Sequence, residues 1–204
     1  TFEGATAVPY GLIVSSGTHM VSSAINVNRN FHAMTEPGTT LTTSGRLDYL
    51  GNYQVLKKGG GEWAFAGWCA ETNSAYTFDV VGGTFRLKPG SVFTKVGGNR
   101  ENFRVGYSGL PGTAVVERAA MTIDGFVLGH DTAAAKGYLL VDGGALSATT
   151  MDEGNPILIG RYAVGMMALS NNATASIANW FNLGVYNRAE IFIGSGSSLS
   201  ASRV

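Results

Sequence analysis

The sequence predicts an all-β chain wound as a right-handed parallel β-helix, a solenoid of roughly eight three-stranded rungs. Three observations carry the expectation. The apolar segments are short and β-rich, as in Tyr138-Leu-Leu-Val141, Ile157-Leu-Ile159 and Ile191-Phe-Ile193, and each is closed by Gly, Asn or Ser within a few residues. Segments of one pattern recur in one order along the chain. The composition is glycine-rich and weakly charged, with 29 glycines and 14% charged residues among 204.

The first strand of each unit reads as two apolar positions ending in glycine. It appears as Phe103-Arg-Val-Gly106, Phe126-Val-Leu-Gly129, Ile157-Leu-Ile-Gly160 and Phe181-Asn-Leu-Gly184. Those glycines are spaced by about 23, 31 and 24 residues, so the unit tolerates loop insertions. A second strand follows in Val141-Asp-Gly-Gly144, Leu169-Ser-Asn-Asn172 and Ile193-Gly-Ser-Gly196. The third aligns Ala145-Leu-Ser-Ala148, Ala173-Thr-Ala-Ser176 and Ser198-Leu-Ser-Ala201. A unit of roughly 24 residues with three short strands cannot bury its own apolar face, and stacking units about 4.8 Å apart solves this. Parallel crossovers take the right hand. The expected rod is on the order of 40 Å long.

The rival all-β fold, a sandwich or jelly roll, requires no common phase among Val141, Leu169 and Ile193. Helix is expected nowhere, since Thr132-Ala-Ala-Ala-Lys136 is too short to be more than a turn. The phase is poor before residue 50. Residues 1–50 therefore read as irregular N-terminal rungs, a cap or an adjoining β module, and 51–204 as the β-helix proper.

Composition excludes several classes. Lysine plus arginine equals aspartate plus glutamate at 14 each, which gives no electrostatic ground for a nucleic-acid partner or an anionic membrane. No apolar run approaches the roughly 20 residues that span a bilayer, so this segment is not expected to insert into a membrane. The glycines follow no three-residue period, which excludes collagen. Cys69 is alone, which excludes an intrachain disulfide, and it reads as a small buried hydrophobe. The chain opens on Thr1 without a signal segment, as a processed product or an excerpt would.

One stretch resembles a known repeat. Val55-Leu-Lys-Lys-Gly-Gly-Gly-Glu-Trp-Ala-Phe-Ala-Gly67, followed by Thr77-Phe-Asp-Val-Val-Gly-Gly-Thr-Phe-Arg-Leu87, is similar to the autotransporter-associated β-strand repeat. Lys58, Gly59, Gly61, Trp63, Phe65, Gly67, Val81, Gly83, Thr84, Phe85 and Leu87 sit where that pattern has their types. The resemblance implies a secreted or surface-displayed passenger of a Gram-negative bacterium, folded as a β-helix. Two departures stand out: the sequence shows no C-terminal barrel, and Trp68 to Ala75 is irregular.

Alignment on the unit glycines produces two columns of interest. Glu101, Asp124, Asn155 and Asn179 each lie five residues before their glycine, so Glu101 and Asp124 would stand about 5 Å apart. A carboxylate pair suits a retaining glycosidase or part of a calcium site, whereas an Asx turn ladder is the structural alternative. The residue after each glycine reads Tyr107, His130, Arg161, Val185, a column that could take a sugar or carboxylate through aromatic stacking and the guanidinium fork. The structural alternative is a solvated strand end. His19 and His32 occur with Ser16, Thr18 and Asp48, but without the strained nucleophile turn that gives such a set meaning. Trp63, Trp68 and Trp180 read as core or rung-edge residues, with sugar stacking as the alternative. Gly59-Gly-Gly61 is not a phosphate loop, because no helix follows it.

The function expected is a structural segment of an extracellular or bacterial cell-surface protein: a stalk, adhesin-like passenger or fibre component, with no catalysis and no cofactor. Its partners are expected to be a further coil or another subunit stacked on the solenoid end, with surface glycans as a second class. The alternatives are a polysaccharide lyase or glycoside hydrolase built on a β-helix, and a carbohydrate-binding module.

Overall fold

The computed structural model describes residues 10–49, 51–72, 76–97, 101–149 and 157–203, with the backbone alone for Tyr10, Glu101 and Asn179. Among these residues every regular element is a strand. The first coil comprises β1 (Tyr10–Val14), β2 (Thr18–Val21) and β3 (Ile25–Val27), and the second β4 (Phe31–Thr35), β5 (Thr40–Thr43) and β6 (Arg46–Tyr49). The third holds β7 (Val55–Lys58), β8 (Glu62–Phe65) and β9 (Trp68–Glu71); the fourth β10 (Phe78–Val80), β11 (Gly83–Leu87) and β12 (Val92–Lys95). Next come β13 (Glu101–Val105), β14 (Gly112–Glu117) and β15 (Ala120–Ile123), then β16 (Gly125–Leu128), β17 (Gly137–Asp142) and β18 (Ala145–Ala148). The seventh coil runs through β19 (Ile157–Ile159) and β20 (Gly165–Ser170) into β21 (Thr174–Leu183), which rounds the corner into the last coil, completed by β22 (Ala189–Ile193) and β23 (Ser198–Arg203).

Each strand pairs in parallel with the equivalent strand one coil on, never with its neighbour in sequence. The fold is therefore a three-faced parallel β-solenoid of about seven turns. The second face, from β2 to β22, stacks eight strands. Parallel strands need crossovers, and here the other two faces supply them. Residues 10–49, where the repeat is hard to read, contribute six of these strands, paired through to the third coil.

The phase test is met. Val141, Leu169 and Ile193 are direct partners on the second face, in a column that includes Val116. The first-face column runs Phe78, Phe103, Phe126, as the glycine-ended repeats require. On the third face one alignment needs correction. Ala145 pairs with Thr174, not Ala173, and Thr174 with Ser198. The cause is a longer corner in the seventh coil, where Asn171 and Asn172 both adopt the left-handed backbone (φ 56° and 61°) that short polar side chains tolerate.

Alternate residues of each strand point into a dry lumen. In the third to fifth coils the lumen is aromatic. Trp63 and Phe78 stack with centroids 5.6 Å apart, Phe78 and Phe103 at 5.5 Å, and Phe85 and Phe93 meet edge-on at 5.8 Å. Trp63 is fully buried, and its indole N–H donates to Thr43 Oγ1 at 2.9 Å, so the ring enters the core with its polar atom satisfied. Toward the C-terminal coils the lumen turns aliphatic, with Leu128, Val141, Ile159 and Leu169 all buried.

Candidate functional site

The corner between the first and second faces carries the predicted column. In coils five to eight it begins with Gly106, Gly129, Gly160 and Gly184, all in the left-handed region at φ 65–75°. At Gly129 a Cβ would lie 2.6 Å from the Ala163 carbonyl oxygen of the next coil, so a side chain is barred by both conformation and space. With the corners superposed, the residues that follow are stacked.

The structure brings Tyr107, His130 and Arg161 together. The rings of Tyr107 and His130 meet edge-on, centroids 5.2 Å apart. Arg161 Nη1 lies 3.1 Å from His130 Nε2, and His130 Nδ1 lies 2.7 Å from Asp131 Oδ1. This arrangement selects one tautomer. Because a guanidinium only donates, Nε2 is the acceptor from Arg161 and Nδ1 the donor to Asp131. The other Asp131 oxygen accepts the Ser108 backbone N–H at 3.2 Å, tying coil six to coil five.

The sequence reading missed the second position after each glycine: Ser108, Asp131, Tyr162, Tyr186. The signal was there at the same spacing. Tyr162 and Tyr186 lie nearly parallel, 3° apart in plane with centroids at 5.0 Å, and Tyr162 approaches His130 at 6.2 Å. The Tyr162 and Tyr186 faces thus cover one another along the solenoid axis. Tyr162 is 41% exposed and Tyr186 69%.

Arg104 closes the column at its lower end. Its guanidinium lies 4.0 Å from the Tyr107 ring centroid and grips Asp79 with two nitrogens, at 2.7 Å and 2.6 Å. Asp79 is fully buried and also receives Gln54 Nε2 and the Thr77 hydroxyl. Burial pushes the Arg104 pKa down, but the Asp79 carboxylate outweighs it and the net direction is up.

Asp124 occupies a different corner. The backbone of Glu101 faces Gly125, and the register then shifts so that Phe103 faces Phe126. Beside this irregularity the Asn102 side chain meets Asp124, with Nδ2 3.2 Å from Asp124 Oδ2 and Oδ1 accepting the Asp124 N–H at 3.3 Å. Asn102 also donates to the Lys95 carbonyl at 2.7 Å. The second Asp124 oxygen accepts from the Thr149 hydroxyl at 3.4 Å. Asn155 lies outside the described residues. Among the described residues no three His, Cys, Asp or Glu side chains gather as a metal site would.

Two lysines point inward, where the sequence pattern had no place for charge. Lys57 and Lys95 are fully buried. Lys57 Nζ donates to the carbonyls of Lys58, Gly59 and Gly82 at 2.9–3.0 Å, closing two successive turns from within. Lys95 Nζ lies 4.9 Å from the Tyr49 ring centroid. Burial lowers both ammonium pKa values to about 8. Cys69 lies in the same inner region, and burial pushes its thiol up to about 12, which makes it an inert hydrophobe at neutral pH.

The remaining sequence candidates do not converge. His19 is on the second face, bonded to the Ser16 carbonyl, His32 is on the first, and Asp48 on the third pairs with Arg46. Trp68 and Trp180 are 43% and 36% exposed, each with a guanidinium over its ring, from Arg46 and Arg203.

No family model, no curated protein and no solved structure matches this chain.

Proposed function

We propose that this chain is a structural solenoid segment of an extracellular or cell-surface protein, a stiff spacer or adhesive stalk with no chemistry of its own. The observation that carries the reading is the stack: on all three faces parallel strands pair from the first coil to the last around a filled lumen, with the register shifting only within β13 and β21 among the described residues. Such a body transmits force along its axis through backbone hydrogen bonds. Weak charge and a Ser/Thr-rich third face, with Thr94, Thr122, Ser147, Ser176 and Ser200 in one outward column, suit a surface turned to outside solvent. The resemblance of residues 55–87 to the autotransporter-associated repeat supports the same placement. Small-angle X-ray scattering tests the mechanical part. A rod cross-section constant along its length is expected, and a globular profile would end the proposal.

A second reading rests on the Tyr107, His130, Asp131, Arg161 cluster. An imidazole oriented by a carboxylate and set beside a guanidinium could bind, or move a proton on, a carboxylate-bearing glycan. The check is binding and degradation of uronate polysaccharides by the wild-type chain and by His130→Asn with Arg161→Met. Equal behaviour of the two proteins would remove the cluster from consideration.

A further inference from the structure

The two ends of the solenoid are complementary. At the C-terminal end β21, β22 and β23 are the last strands of their faces, with no strand beyond them among the described residues. Side chains that belong to the lumen lie open there: Leu183 is 47% and Ile193 52% exposed, although their column partners Ile159 and Leu169 are buried. Ile191 and Leu199 are also only partly covered. The segment 157–203 contains neither proline nor lysine, and the charged residues within its last strands, β22 and β23, are Glu190 and Arg203. At the N-terminal end a hollow of about 380 Å³ opens, lined by the apolar Leu12, Val21, Ile25 and Val27 and also by the polar Asn28 and Arg29.

Following the register from coil to coil connects these surfaces. The column that ends at Leu183 begins at Leu12, through Ala33, Lys57, Val80, Val105, Leu128 and Ile159. The column that ends at Ile193 begins at Val21. On the third face the column that ends at Leu199 begins at Ile25. Each of these columns therefore has an apolar residue at both of its described ends. Three parallel edges at once can be matched only by three strands of the same coil geometry, which an unrelated extended peptide does not offer.

We propose that the C-terminal coil docks the N-terminal coil of a second copy of this chain, head to tail, with Leu183 and Ile193 filling the hollow formed by Leu12, Val21 and Ile25. The contact deepens the structural-rod reading and rests on it. Because it is heterologous and translates along the axis, it does not close, and its product is a filament.

The test uses two blocked chains. Leu183→Lys with Ile193→Lys alters exposed positions and closes the C-terminal end; Val21→Lys with Ile25→Lys closes the N-terminal end. Circular dichroism confirms the fold, and each lysine is also made singly in case a pair perturbs it. In analytical ultracentrifugation the wild type grows with concentration, each blocked chain sediments as a monomer, and an equimolar mixture of the two gives a dimer and nothing larger. A chain blocked at its N-terminal end that dimerises alone would show a C-to-C contact and overturn the proposal. So would a wild type monomeric up to millimolar concentration, which would leave that end to another occupant, such as a further coil of a longer chain. Scattering on that monomer separates the failures, because a rod-shaped monomer leaves the structural reading standing.

Discussion

Lys57 is one side chain on which the lumen makes a measurable demand. Its ammonium is charged in the unfolded chain up to about pH 10.5 but in the folded chain only up to about 8, and Lys95 behaves alike. Below pH 8 both states are protonated and the fold carries the full cost of the buried charge. Above 8 the unfolded state binds more protons, so stability rises with pH, by about 1 kcal/mol per lysine over the first unit. Cys69 and Tyr49 act in the opposite sense. Burial keeps the thiol protonated to about 12 and raises the phenol well above 10, so the unfolded groups ionise first and stability falls above about pH 9. Urea denaturation should therefore show a gain between pH 8 and 9 that flattens or reverses beyond, and Cys69→Ala should extend the gain. A profile flat from 8 to 9 would contradict the burial of both lysines.

At the same scale, Arg104→Met leaves the fully buried Asp79 carboxylate without its guanidinium. The expected cost is about 3–5 kcal/mol, measured by urea denaturation. Neither lysine was legible as buried, because strand periodicity reads only alternation. Lys57 lies inside by virtue of three carbonyls contributed by turns of adjacent coils, which no local pattern displays.

At the level of the element, the glycine-ended strand is the unit the sequence announced, and its physical basis is visible at Gly129. A positive φ and the carbonyl of the following coil together forbid a Cβ. Gly129→Ala should cost about 2–4 kcal/mol and loosen the contact between His130 and Arg161, whereas the same change at Gly38, which has positive φ but open space around it, should cost about 1 kcal/mol. Equal costs would mean that the corners are not stacked. The two register errors share a cause. Counting back from a glycine assumes that strands and corners have constant length, yet β13 carries an irregularity and the Asn171-Asn172 corner one more residue. The column after the glycine was legible because no such variation intervenes between glycine and side chain.

Taken whole, the molecule is a one-dimensional stack, so each coil is stabilised by its two neighbours and the ends by one. Amide hydrogen exchange should be slowest in β10 to β18 and fastest in β1 to β3 and β22 to β23. Uniform protection would speak for a single globular core. The stacking was readable from sequence because a solenoid repeats its phase. What the corners bind was not, because that depends on which side chains of different coils face one another.

The in-register stack itself is tested most directly by pulsed electron paramagnetic resonance on spin labels placed on the second face, in a Cys69→Ala background. Thr18 is paired stepwise through Thr40, Glu62 and Thr84 to Thr113, then to Tyr138, Met166 and Glu190. With one label at Thr18, moving the second from Thr113 to Tyr138, Met166 and Glu190 should lengthen the distance by about 5 Å at each move, from about 19 Å to about 34 Å. Distances that rise and fall with residue number, as across the two sheets of a sandwich, would contradict the solenoid.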